Sequence, residues 1–259
     1  MKQDMRWMNI ICMLLIFTMG SFGMIVLRTM DSFDVDRLNE DSNHYAKSNN
    51  VDVTQRYDYI KKDLPPVGRL NDLSNGSHGS AFIVGSHTII TNYHVVRKDL
   101  DLNHLSFTPH KQVAQFKDGK YVPEDKTEIT DYQKIKDIDL VVLHTKKDLS
   151  KYGTFNLTND TPKKYDVVKT AGYPHIKSKQ DTFDSHMIQS TYRYLGDHYN
   201  EFYVKGVIYP GASGSPMINK KGDVFGVCSF RRGMNEKESV SGGVLFNKSI
   251  IDQIKENTY

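Results

Sequence analysis

Cysteine is almost absent from this 259-residue chain, which has two: Cys12 in an apolar N-terminal run and Cys228 alone in the remainder. No disulfide can therefore join two cysteines of the main body, whose stability must come from a packed core. Material for metal chemistry is equally scarce, because there is no His-Glu-x-x-His, no Cys-x-x-Cys and no close set of ligands at zinc spacing. Nothing in the sequence implies a metal or another cofactor. Charge of one sign is also lacking: 34 Lys and Arg are interspersed with 31 Asp and Glu, a net +3 that argues against a nucleic-acid partner. No internal repeat divides the chain, and its length holds one sizeable domain with appendages but no second enzyme domain.

The one long apolar run is Trp7 to Leu27, broken only by Asn9, Thr18, Ser21 and two glycines. As a helix rising about 1.5 Å per residue it is long enough to cross a bilayer. Lys2 and Arg6 precede it, which puts the N-terminus inside and the rest outside. On this reading residues 1–30 are a membrane anchor with its helix over 7–27, and the protein sits in the cell membrane as a single-pass protein. A cleaved signal peptide is the alternative, with Ile10 to Phe17 as its apolar region and a cut after Gly23, so that loss of residues 1–23 leaves a secreted protein. Residues 31–63 hold few apolar side chains and no steady period, as a polar tether or pro-segment would, with Tyr57-Asp58-Tyr59-Ile60 as the piece able to dock.

From Leu64 to the end, short apolar runs recur between Gly, Asn, Asp and Pro, among them Asp166-Val167-Val168-Lys169-Thr170, Phe202-Tyr203-Val204 and Val224-Phe225-Gly226-Val227. That spacing predicts an all-β domain of antiparallel barrels over 64–259. Near the end, Ser249 is placed to N-cap a helix whose Ile250, Ile251 and Ile254 share one face.

Residues 211–216 read Gly-Ala-Ser-Gly-Ser-Pro, which sets Ser213 between two glycines where a tight turn can expose its hydroxyl. The flexible backbone there lets successive N–H groups converge on one spot, as an oxyanion hole requires. A serine hydroxyl is a weak nucleophile at neutral pH and needs a base and a group that orients the base. Thr91-Asn92-Tyr93-His94-Val95-Val96 supplies His94 just past the strand-like Thr88-Ile89-Ile90-Thr91. Nine other histidines lack such a setting. Asp137-Ile138-Asp139-Leu140-Val141-Val142-Leu143 supplies an acid ahead of a buried β-branched run, Asp139 first, with Asp137 as the fallback.

The order His94, Asp139, Ser213 resembles that of the chymotrypsin-like serine peptidases, in particular the compact bacterial branch of glutamyl endopeptidases and exfoliative toxins. Thr91 to Val96 is similar to that branch's Thr-Asn-x-His-Val-Val, and Ala171-Gly172-Tyr173-Pro174 to its Gly-Tyr-Pro turn; the likeness extends over roughly residues 64–257. The resemblance implies two six-stranded antiparallel β-barrels followed by a C-terminal helix, with the three residues in the cleft between the barrels. It further implies a serine endopeptidase acting on polypeptides, with the amides of Gly211 and Ser213 as oxyanion hole. Glutamyl endopeptidases hold the substrate carboxylate with a histidine where this chain has Cys228, and with a polar residue where it has Ile208. Ile208, Cys228, Ser229, Phe230 and Arg231 are then the substrate-binding candidates, giving a small or apolar residue before the cut unless Arg231 rescues an acidic one. Ala212 replaces the Asp with which animal relatives anchor a freed N-terminus on activation. Two alternatives stay open. One is a quality-control protease resembling the HtrA group without its PDZ domain, for which no space follows the terminal helix. The other is a catalytically silent binding module on the cell surface.

Overall fold

The computed structural model describes residues 37–38, 40–49, 56–60, 62–96, 101–110, 115–117, 120–122, 125–175, 187–232 and 239–259. The apolar run 7–27, and with it the choice between anchor and signal peptide, lies outside the described residues. Among the described residues no helix is long and apolar enough to cross a membrane.

A helix over residues 40–49, α1, comes first. It is followed by β1 (Arg56–Tyr59), β2 (Val67–Asp72), β3 (His78–Gly85), β4 (Thr88–Thr91), the single turn α2 (Tyr93–Val96), β5 (Leu105–Pro109), β6 (Gln115–Lys117), β7 (Lys120–Val122), β8 (Thr127–Lys134) and β9 (Val141–Thr145). The second half contains β10 (Val167–Gly172), β11 (Ile188–His198), β12 (Glu201–Lys205), β13 (Pro216–Ile218), β14 (Val224–Arg232), β15 (Val240–Leu245) and α3 (Lys248–Glu256). Six strands close the first barrel in the order β2-β3-β4-β9-β8-β5, while β6 and β7 form a separate hairpin. The second closes in the order β11-β10-β13-β14-β15-β12 through the pairing of β11 with β12, and β1 adds alongside β11. Both barrels are antiparallel, as the sequence leads one to expect.

The continuous apolar runs have a common physical reason. Ala81 and Ile83 point into the first barrel with Ile89, Val141 and Leu143, whereas Phe82, Ile90, Leu140 and Val142, alternating with them, pack against the second. Successive side chains of a strand leave opposite faces, so a strand buried on both needs apolar residues at every position. On β8, whose outer face meets water, the burial instead alternates at its start and is lost towards Lys134. The second barrel repeats the arrangement: Phe225 and Cys228 of β14 face its interior, and Val224 and Val227 join the layer between the barrels. Ile250, Ile251 and Ile254 of α3 complete that layer, each worth about 1.5–3 kcal/mol by removal from water. The cap of α3 is Asn247, whose Oδ1 accepts from the Ile250 amide at 2.9 Å, and not Ser249. A side-chain acceptor reaches the amide three positions on from the cap, and the helix begins two residues earlier than the isoleucine pattern suggests.

Residues ahead of Leu64 also contribute to the body of the fold. Asp41 pairs with Lys164 at 3.0 Å, Tyr45 stacks on Tyr165 with centroids 3.8 Å apart, and Leu38 packs against Leu195, Tyr203 and Val240. With β1 paired to β11, the docking expected of Tyr57 to Tyr59 is found as a strand.

Candidate active site

The turn between β8 and β9 carries the two candidate acids. Asp137 takes φ +60°, a left-handed turn residue whose side chain is exposed; it borders the same cleft as Asp139 but has no hydrogen bond to His94. Asp139 alone meets His94. Its Oδ2 accepts from His94 Nδ1 at 2.7 Å and from Ser229 Oγ at 2.6 Å, and its Oδ1 accepts from the His94 amide at 2.9 Å. Burial by itself would raise the Asp139 carboxyl, but hydrogen bonds from the His94 ring, Ser229 and the His94 amide outweigh it and hold the group below its ordinary value. An ionised acceptor at Nδ1 places the ring proton on that nitrogen and leaves Nε2 as the basic side. The imidazole is 47 % exposed on the outer side of this pair.

Ser213 stands in a turn held almost entirely by its backbone. Ala212 N–H donates to Tyr209 O and Ser215 N–H to Ala212 O, each at 3.0 Å. Gly211 and Gly214 both take φ +86°, and a Cβ on Gly214 would run into Ser80 O and Thr91 Oγ1, so no other residue fits that position without displacing the first barrel. Ser80 clamps the turn from β3: its amide donates to Ser213 O at 2.8 Å and its hydroxyl donates to Gly211 O at 2.8 Å while accepting from Tyr173 N–H at 2.9 Å. Pro210 O accepts from His175 N–H at 2.6 Å, which turns the opposite end of that planar peptide, the Gly211 N–H, away from His175. Neither the Gly211 nor the Ser213 amide donates to an acceptor among the described residues. Unengaged N–H groups in the turn that bears the hydroxyl are the kind of donor that can receive a developing negative charge. No hydrogen bond joins Ser213 to His94 here, and such contacts often tighten only once substrate is bound.

The five substrate-binding candidates fall into three places. Ser229 and Phe230 line a cleft of about 390 Å³ that also takes in Asp139, Tyr199, Glu201 and Arg232. Ile208 and Cys228 lie in the core of the second barrel with Tyr192 and Met217, and Arg231 is exposed to solvent. Burial drives the Cys228 thiol up to about 12, so it stays protonated at neutral pH. Iodoacetamide at pH 8 is therefore expected to leave Cys228 of the folded protein unmodified and to alkylate it in denaturant, as read by peptide mass mapping. Rapid labelling without denaturant would show that the strand is open to solvent. Among the described residues no group of three or more His, Cys, Asp and Glu is placed to hold a metal ion.

Three contributors escape the sequence reading. Ser229 is recognised there only as a pocket residue, yet its hydroxyl is a ligand of the Asp139 carboxylate. Ser80 and Asn92 are each fully buried polar side chains in β-strand surroundings. A polar residue at the end of an apolar strand run, Ser80 before Ala81-Phe82-Ile83 and Asn92 after Ile89-Ile90-Thr91, is the signal that marks both, since burial without a partner is costly.

A family model described as trypsin-like peptidase domain matches residues 79–227, more than half of the chain. Among solved structures, a Glu endopeptidase in complex with MPD aligns with TM-score 0.63 at 15 % identity, covering 80 % of this chain and 97 % of the other. Rv3671c from M. tuberculosis H37Rv, a serine-to-alanine mutant in its inactive form, aligns with TM-score 0.52 at 17 % identity, covering 74 % of this chain and 86 % of the other. At such identities the likeness speaks for a shared fold. Taken with the family match, the paired barrels and the turn around Ser213 identify the chain as a member of the trypsin-like peptidase family.

Proposed function

We propose that the protein is a membrane-tethered serine endopeptidase whose catalytic domain faces the extracytoplasmic side, with Ser213 as nucleophile, His94 as general base and Asp139 as the group that orients it. His94 Nε2 takes the Ser213 proton as Oγ attacks a peptide carbonyl, and the Gly211 and Ser213 amides receive the oxyanion. The imidazolium then protonates the leaving amine, and water releases the acyl-enzyme by the same route in reverse. The observation that carries this reading is the His94–Asp139 pair, joined through Asn92 to a Ser213 turn whose Gly211 and Ser213 amides have no acceptor among the described residues. The tether rests on the apolar run 7–27 alone. A preference for Glu before the cut, as the name of the similar Glu endopeptidase suggests for that protein, finds little support here: Cys228 is neutral and buried, with its Sγ on the Thr170 hydroxyl, and offers no charge to a carboxylate, so the proposed preference is a small or apolar residue. A serine-directed fluorophosphonate added to the folded chain should modify Ser213, and a peptide library should reveal cleavage after small or apolar residues. Failure of the probe to label Ser213 in folded protein would favour a silent binding module, and strict cleavage after Glu or Asp would overturn the specificity.

A further inference from the structure

The two halves of the site belong to different barrels, and something has to fix their separation. Asn92 occupies the residue between β4 and α2, two positions before His94, and is 0 % exposed. Its Nδ2 donates to the Asp139 backbone carbonyl at 2.9 Å, and its Oδ1 accepts at 2.7 Å from the Gly214 amide, an N–H that also reaches Cys228 O at 3.0 Å. Neither end can be exchanged, because a carbonyl only accepts and a peptide N–H only donates, so the orientation of the carboxamide is dictated by its partners. One end thus holds the residue that orients the imidazole, and the other holds the peptide immediately after Ser213.

From this geometry we propose that Asn92 is a positioning residue that sets the distance between the nucleophile turn and the acid–base pair. The proposal rests on the catalytic reading of His94, Asp139 and Ser213. Ser80 already ties the same turn to the first barrel, but through Gly211 and Ser213 O, on β3 and away from the acid. Asn92 is different in gripping the acid's own main chain. Leucine, of similar size, can make neither bond, serine is too short to reach both partners, and aspartate in its ionised form accepts but cannot donate. A side chain acting in this way changes the rate of the chemical step and leaves substrate affinity nearly alone, because a misplacement of about 1 Å at a reacting centre costs roughly 10²-fold in rate.

The test uses the full chain and the second-order rate of Ser213 modification by a fluorophosphonate, alongside kcat and KM on a cleaved peptide. Asn92→Ala should react about 10²-fold more slowly than the parent, with the loss in kcat and little change in KM. Asn92→Asp offers a readout that a merely structural role would not move. As a protonated acid it regains a donor for Asp139 O while keeping an acceptor for Gly214 N–H, so its rate relative to the parent should climb as pH is lowered. Asp139 and His94 are the titratable groups tied to position 92, and because a new carboxylate can shift them, the rate of each protein is corrected by its own NMR titration of the His94 imidazole before the ratio is taken. Should Asn92→Ala fail to fold, the aspartate ratio alone decides. A parent-like rate for folded Asn92→Ala, or a ratio for Asn92→Asp that stays flat with pH, overturns the proposal. A parent that the probe never labels is a separate result, which removes the catalytic reading itself.

Discussion

Replacing Ser213 with alanine should lower kcat by roughly 10⁶-fold while the protein stays folded and still binds peptide. The change removes one oxygen from a turn whose shape depends on backbone bonds: Ser80 N–H to Ser213 O, Ala212 N–H to Tyr209 O and Gly214 N–H to Asn92 Oδ1 are all independent of the hydroxyl. Stability is therefore expected to move by less than about 0.5 kcal/mol, within the range of substitutions that break no buried network. Without an oxygen to acylate, His94 has no proton to accept, and what remains is the oxyanion amides acting on a bound peptide attacked by water. The measurement is turnover of a library-selected peptide by the purified variant, with thermal unfolding as the control. Cleavage at the parental rate by a variant free of contaminating protease would remove Ser213 from the mechanism.

Asp139→Asn should cost about 10⁴-fold in kcat. The carboxylate accepts three hydrogen bonds, from His94 Nδ1, the His94 amide and Ser229 Oγ. A carboxamide has one acceptor oxygen, so satisfying the His94 amide at Oδ1 turns its NH₂ toward the ring. The imidazole must then carry its proton on Nε2, the side that faces outward, and can no longer take one from Ser213. Because those same bonds hold the Asp139 carboxyl below its ordinary value, it stays ionised in more acidic solution than a free carboxyl would. An NMR spectrum of the imidazole nitrogens reads the tautomer directly. An Asp139→Asn protein with the parent's tautomer and the parent's kcat would show that Asp139 does not orient the base.

Much of this was legible in the chain because both the barrel strands and the nucleophile turn leave local marks. Ala81-Phe82-Ile83 and Val141-Val142-Leu143 read as buried strands since each is sandwiched between a barrel interior and the other barrel. Gly211 and Gly214 announce a left-handed backbone on either side of Ser213. Harder to read were relations between distant segments. Ser229 lies 90 positions from the carboxylate it serves, and nothing local to it says so. The choice of Asp139 over Asp137 depended on a left-handed residue inside an Asp-Ile-Asp stretch that reads as strand, and aspartate tolerates that conformation without the glycine that would have flagged it. In residues 31–63 the polar composition hides two contacts: Tyr45 stacks on Tyr165, and Leu38 packs against Leu195, Tyr203 and Val240.

The pairing of β1 with β11 has a practical consequence. β12 covers β11 only from Arg193 to His198, so Ile188 to Thr191 have β10 on one flank and β1 on the other. A recombinant form begun at Leu64 would bare the main-chain donors and acceptors along that flank, an open sheet edge of the kind that recruits strands from neighbouring molecules. Expression boundaries set upstream of Arg56 keep this edge covered and should yield the less aggregation-prone protein.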